Sequence, residues 1–100
     1  MNTEAHLTAT LNEKVRMSAL TVRLTCGGGF APVRIAVDTL VDDWVEVGAV
    51  FPADSNMAQT LPLKVPEHVA SSDTSAVRVR LGGSTDAFGR VILYELGIDT

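Results

Sequence analysis

One cysteine, two histidines and 5% aromatic residues are all that this 100-residue chain offers of the side chains that usually do chemistry. With Cys26 alone, no intrachain disulfide can form, and small domains of oxidising compartments commonly carry several. No run of lysine or arginine occurs, and the formal net charge is −4. An acidic surface repels phosphates, so nucleic acid is not an expected partner. No apolar stretch approaches the roughly 20 residues of a membrane helix, so no membrane partner is expected either. The first residues, Met1 to His6, lack the basic and apolar regions of a signal peptide. The expectation is a protein made in a cytoplasm and not secreted by such a signal. A 3.6-residue apolar period of useful length is missing, as is any internal repeat, which excludes helical bundles and solenoids.

What is present is strand pattern. Hydrophobic residues make up 46% of the sequence, mostly Val, Leu and Ala, enough for a core in one domain. Leu7, Ala9 and Leu11 alternate with Thr8 and Thr10, so residues 1–12 read as an N-terminal arm or edge strand. Residues 13–100 read as one β-sandwich domain. From Val15 to Cys26 the apolar phase flips at Ala19–Leu20, which predicts a bent or bulged strand. Gly27-Gly28-Gly29 and Pro32 open a loop. Val33, Ile35 and Val37 then alternate with Arg34, Ala36 and Asp38. Asp42-Asp43 makes a turn, and Trp44 to Phe51 forms the next strand with Val45, Val47, Ala49 and Phe51 on one face. Pro52 to Thr60 is a polar loop. Pro62 and Pro66 remove ladder donors, so the strand around Leu61, Leu63 and Val65 belongs at a sheet edge. Glu67 to Ser75 is a loop with room for one helical turn. Val77 to Leu81 alternates cleanly, and after Gly82, Gly83 and Gly89 the run Arg90 to Leu96 closes the chain. Seven or eight short strands predict an all-β, single-domain antiparallel sandwich of jelly-roll type.

The closing run carries the functional expectation. Val91 and Leu93 occupy one face, and Ile92, Tyr94 and Leu96 the other. A strand apolar on both faces needs cover on both, from its own core and from something else.

From Trp44 onward the landmarks resemble the galactose-binding-like jelly rolls, which include many carbohydrate-binding modules. Trp44 opens a strand ending in Phe51-Pro52. An alternating Val/Arg strand, Val77 to Leu81, follows, and then a glycine-bearing loop and the last strand, Gly89 to Leu96. The resemblance covers a little over half the chain. It implies a sandwich and a glycan ligand, with Trp44, Tyr94 and the loops Asp54–Thr60 and Gly82–Gly89 near it. Tyr94-Glu95 stands where the family often has an Asp pair, so its structural calcium site is not implied here.

The remaining candidates favour simpler readings. Cys26, with His6 or His68 as base, lacks a third orienting group and reads as a buried hydrophobe. The histidines lack companions at metal spacing. Asp42-Asp43 and Asp54-Ser55-Asn56 are turn formers, and Gly27-Gly28-Gly29 lacks the Lys-Ser/Thr of a phosphate loop. No catalytic residue, metal or cofactor is expected. A lone Trp and a lone Tyr make a poor sugar platform, so Trp44 is expected in the core and Tyr94 on a partner surface. The leading expectation is a non-enzymatic structural protein, of the kind that decorates, cements or forms head fibres on a bacteriophage capsid. It would be a homo-oligomer and part of the virion. Leu7, Leu11, Ile92, Tyr94, Leu96 and Ile98 would meet neighbours, with the arm pairing onto an adjacent edge. A carbohydrate-binding module, with glycan contacts at Trp44 and Tyr94, is the alternative.

Overall fold

A computed structural model describes residues 5–99 and shows two antiparallel sheets packed face to face. The strands are β1 (Ala5–Val15), β2 (Ala19–Cys26), β3 (Arg34–Leu40), β4 (Trp44–Val50), β5 (Gln59–Lys64), β6 (Thr74–Gly82) and β7 (Leu93–Asp99), with one helical turn, α1 (Glu67–Ala70). The larger sheet has the order β1-β6-β3-β4, and the smaller β5-β2-β7. The expected all-β sandwich is the fold.

Its core follows from alternation. On β2, Leu20, Val22 and Leu24 point inward and are essentially fully buried, as are Ile35 and Val37 on β3. Each such side chain contributes roughly 1.5–3 kcal/mol when it leaves water. Val77, Val79 and Leu81 extend the core from β6.

Where alternation breaks, so do the expected faces. The run from Val15 to Cys26 is not one bent strand: Val15 ends β1, Met17 is buried in the connection, and β2 starts at Ala19. In β4 a bulge opposite Val37 and Asp38 resets the phase, so Val47 and Val50 both face the core. Phe51 lies beyond the strand and is exposed. The closing strand starts later than expected, at Leu93, and a register irregularity opposite Thr25 and Cys26 leaves Tyr94 unpaired. That extra residue splits the expected Ile92–Tyr94–Leu96 face. Leu93, Leu96 and Ile98 pack against the core, Tyr94 is exposed, and Ile92 belongs to the preceding loop. The apolar residues on both phases of this run therefore come from a change of phase and not from a strand covered on two sides.

The loops 27–33, 51–58 and 83–92 gather at one end of the sandwich. The ladders fix this, because Arg34 lies opposite both Gly82 and the β3–β4 neighbourhood of Val50, while Cys26 lies opposite Leu93.

Candidate functional site

The two sheets differ by one strand, and that difference makes a groove. β1 pairs with β6 so that Ala5, Leu7 and Ala9 stand opposite Leu81, Val79 and Val77. Facing residues of an antiparallel pair share a face, so all six point toward the smaller sheet. Val79 is only 5% exposed, yet Leu7 is 52% exposed. The smaller sheet ends at β7 and provides no strand beneath β1. The result is an apolar groove of about 320 Å³ under the overhang. Leu7, Ala9 and Leu11 line it from β1, Val77 and Val79 from β6, and Leu96 and Ile98 from the free edge of β7.

Of the residues expected at a partner surface, the structure brings Leu7, Leu11, Leu96 and Ile98 together here. Ile92 and Tyr94 lie elsewhere, at the loop end. Met17, Val77 and Val79 complete the groove and were not expected in it. Their apolar alternation reads as core in the sequence, and only the missing fourth strand leaves them beside a groove.

On the outer face of the larger sheet sits a charged cluster. Asp38 is buried and accepts hydrogen bonds from Arg78 Nε (2.8 Å) and from Arg80 Nε (2.8 Å) and Nη2 (3.0 Å). Burial pushes the Asp38 carboxyl up, but the bonds from Arg80 and Arg78 outweigh it and hold the group below the usual carboxylate range. Glu46 Oε1 accepts from Arg34 (3.0 Å) and Arg80 (2.7 Å). The Arg78 guanidinium lies 4.4 Å from the centre of the Trp44 ring. Trp44 is thus half-buried on the outside and not a core residue, because Val45 takes the inward position opposite Thr39. Trp44 and Tyr94 are on different sheets, so they form no common sugar platform.

The loop end is stitched by backbone bonds. Gly27 N–H donates to the Ile92 carbonyl and Ile92 N–H to the Phe30 carbonyl, each at 2.9 Å. Thr85 joins Ala31 by both its N–H (2.9 Å) and its Oγ1 (3.0 Å). Gly29 N–H donates to Asp54 (2.6 Å). Within the last loop, Asp86 accepts from the backbone N–H groups of Phe88 and Arg90 and from the Arg90 guanidinium. Those bonds, the Arg90 side chain first, lower the Asp86 pKa to about 2. Gly89, at φ 75°, supplies the left-handed residue this turn requires. On this frame Phe51, Met57, Phe88 and Tyr94 are each more than two-thirds exposed.

Cys26 is buried at the same end, where its thiol donates to the Ser55 carbonyl (3.3 Å). Burial pushes its pKa up, the opposite of what an activated nucleophile needs. His6 on β1 and His68 on α1 lie toward opposite ends of the sandwich. Among the described residues, no group of three or more His, Cys, Asp or Glu side chains is placed to hold a metal ion.

Comparison with family models, curated proteins and solved structures finds no match, so the likeness to galactose-binding-like modules rests on the quoted residues alone.

Proposed function

We propose that the protein is a non-enzymatic structural module that assembles with other protein through the open β1/β7 edge. The observation that carries this reading is the exposed inner face of β1 above the free edge of β7. Sheet edges present unpaired N–H and C=O groups, and native proteins normally block or cover them. Here an edge without proline is joined to an apolar groove, the combination that strand-addition interfaces use for affinity and side-chain selection. A virion decoration, cement or head-fibre protein is the setting that such a small adhesive sandwich suits. Light scattering over a concentration series, with co-sedimentation on the native particle, tests the reading. Wild-type protein is expected to self-associate or to pellet with the particle, and Leu7→Asp to lose either behaviour. A strict monomer that stays in the supernatant when the particle is pelleted defeats it.

The loop end favours a second reading, a carbohydrate-binding module, because exposed Phe51, Phe88 and Tyr94 are held there on a stitched frame. In that case the contacts come from Tyr94 and the loops, without Trp44. Absence of retardation in glycan affinity gels would remove it.

A further inference from the structure

We infer that the occupant of the β1/β7 groove is the β1 strand of a second copy of this chain, exchanged reciprocally about a twofold axis parallel to the strands. The inference rests on the assembly reading above and names its partner.

The argument is geometric. Stacking β4 on β5 and β6 above β7 leaves one empty strand position in the smaller sheet, directly beneath β1. A half-turn about an axis in that gap, along the strands, exchanges the two layers. It carries the second copy's β1 into the empty position beside β7 and places the second copy's β7 beside β1. Each layer then runs β4-β3-β6-β1 in one copy and on through β7-β2-β5 of the other. A four-plus-three sandwich is self-complementary under this one operation. The sheets of an aligned sandwich cross at about 30°. A twofold along their mean direction maps one inclination onto the other, so the joined sheets stay continuous.

Other symmetric pairings fail on the same count. A twofold perpendicular to the sheets could join β1 to β1, but it would leave the two β7 edges separated by two empty positions. Joining β7 to β7 would make the overhanging β1 strands collide.

The sequence of β1 suits the place. Ala5, Leu7, Ala9 and Leu11 would meet their own counterparts across the layer gap, about 10 Å between sheets. On the outer surface, β7 presents Glu95 and Asp99, both bound by Arg23. The outward residues of β1 that would lie beside them, His6, Thr8 and Thr10, include no acid. Both strands run from the loop end toward the opposite end, so the new pair is parallel. The shared edge is set by β7, whose seven residues at roughly 3.3 Å each span about 23 Å. With the molecule 22 Å across its shortest axis, each copy would cover on the order of 500 Å², or roughly 1,000 Å² for the pair, the lower bound for a specific interface.

The test uses Ala9→Cys, a small replacement at an exposed position of the groove wall that the monomer is expected to accept. A short flexible bis-maleimide, reaching no more than about 10 Å, should link two copies through this residue, since facing side chains lie closer together than the sheets that carry them. The natural Cys26 is buried and silent. Light scattering should give twice the 10.6 kDa chain mass. Ile98→Lys, which points a charge into the groove, should weaken the dimer at least about thirtyfold and abolish the link. A monomer that still binds the native particle through Leu7 would overturn the second-copy assignment and keep the assembly reading. A dimer that links through Phe88→Cys but not Ala9→Cys would overturn it too, moving the interface to the loop end.

Discussion

Along the β4/β5 side of the sandwich the two sheets close on each other, whereas along the β1/β7 side they part. The closed side is shut by close approach: a Cβ on Gly48 would stand 2.8 Å from Leu63 Cδ1, so the absent side chain of β4 is what lets β5 pack down. Val45, Leu61 and Leu63 finish the core there. The same side is protected against strangers. Pro62 sits in β5 without a backbone donor, and exposed Lys64 ends the strand. On the open side, neither the paired part of β1 nor β7 contains a proline, and the residues lining the groove are mostly aliphatic. One side spends its apolar residues within the chain, and the other holds them out.

That contrast predicts unequal costs for the same substitution. Leu63→Asp puts a carboxylate against the core and should cost about 2–4 kcal/mol of folding stability. For a domain of this size the melting temperature should fall by on the order of 10–20 °C. Leu7→Asp, on a half-open face, should leave the melting temperature of the dilute monomer within a few degrees while removing association. Thermal denaturation of both variants below the association range decides it. Equal losses would mean that the open side is as much a part of the self-contained core as the closed one.

Much of this contrast was legible in the residues, and the unreadable part has a definite cause. The prolines placed the Leu61–Val65 strand at an edge, and the Leu7–Ala9–Leu11 alternation allowed either an N-terminal arm or an edge strand. The groove itself depends on strand number: whether a face is covered is decided by how many strands lie in the opposite sheet, and no local pattern encodes that. The phase errors have another origin. Single-residue bulges at Val47 and Tyr94 reverse every later side chain, and a sequence with apolar residues on both phases reads equally well either way. Trp44 misled because its size suggests core, while a strand neighbour, Arg78, was available to cover its ring.

A smaller effect should follow from removing the block on the closed side. Pro62→Thr supplies a donor to the free edge of β5 and loosens the unfolded chain, so monomer stability should fall by about 0.5–1 kcal/mol. Combined with Ile98→Lys, which closes the groove, the substitution should restore slow, concentration-dependent association, seen by light scattering. If the double variant stays monomeric as firmly as Ile98→Lys alone, Pro62 is not what guards this edge.

The smallest effect is local and distinguishes the two sides by pH. β7 follows directly from the loop that Asp86 and Arg90 clamp, so the clamp lies at the start of the open side's edge strand. An unfolded aspartate titrates near 3.9, whereas folded Asp86 is held to about 2. A carboxylate depressed in the folded state stabilises above its unfolded pKa, and the contribution disappears as pH falls through the folded value. The loop should therefore remain ordered at pH 4 and loosen only as pH approaches 2. Amide exchange of Phe88 and Arg90, whose N–H groups Asp86 accepts, should accelerate over that window relative to their intrinsic rates. Ladder amides between β2 and β5 should hold, since that pairing includes no residue of the clamp. Asp86→Asn should remove the pH dependence and leave Phe88 and Arg90 in rapid exchange already at neutral pH. Loss of loop and β5 protection together, at one pH, would show that the clamp is not local and that the two sides of the sandwich yield to acid as a single unit.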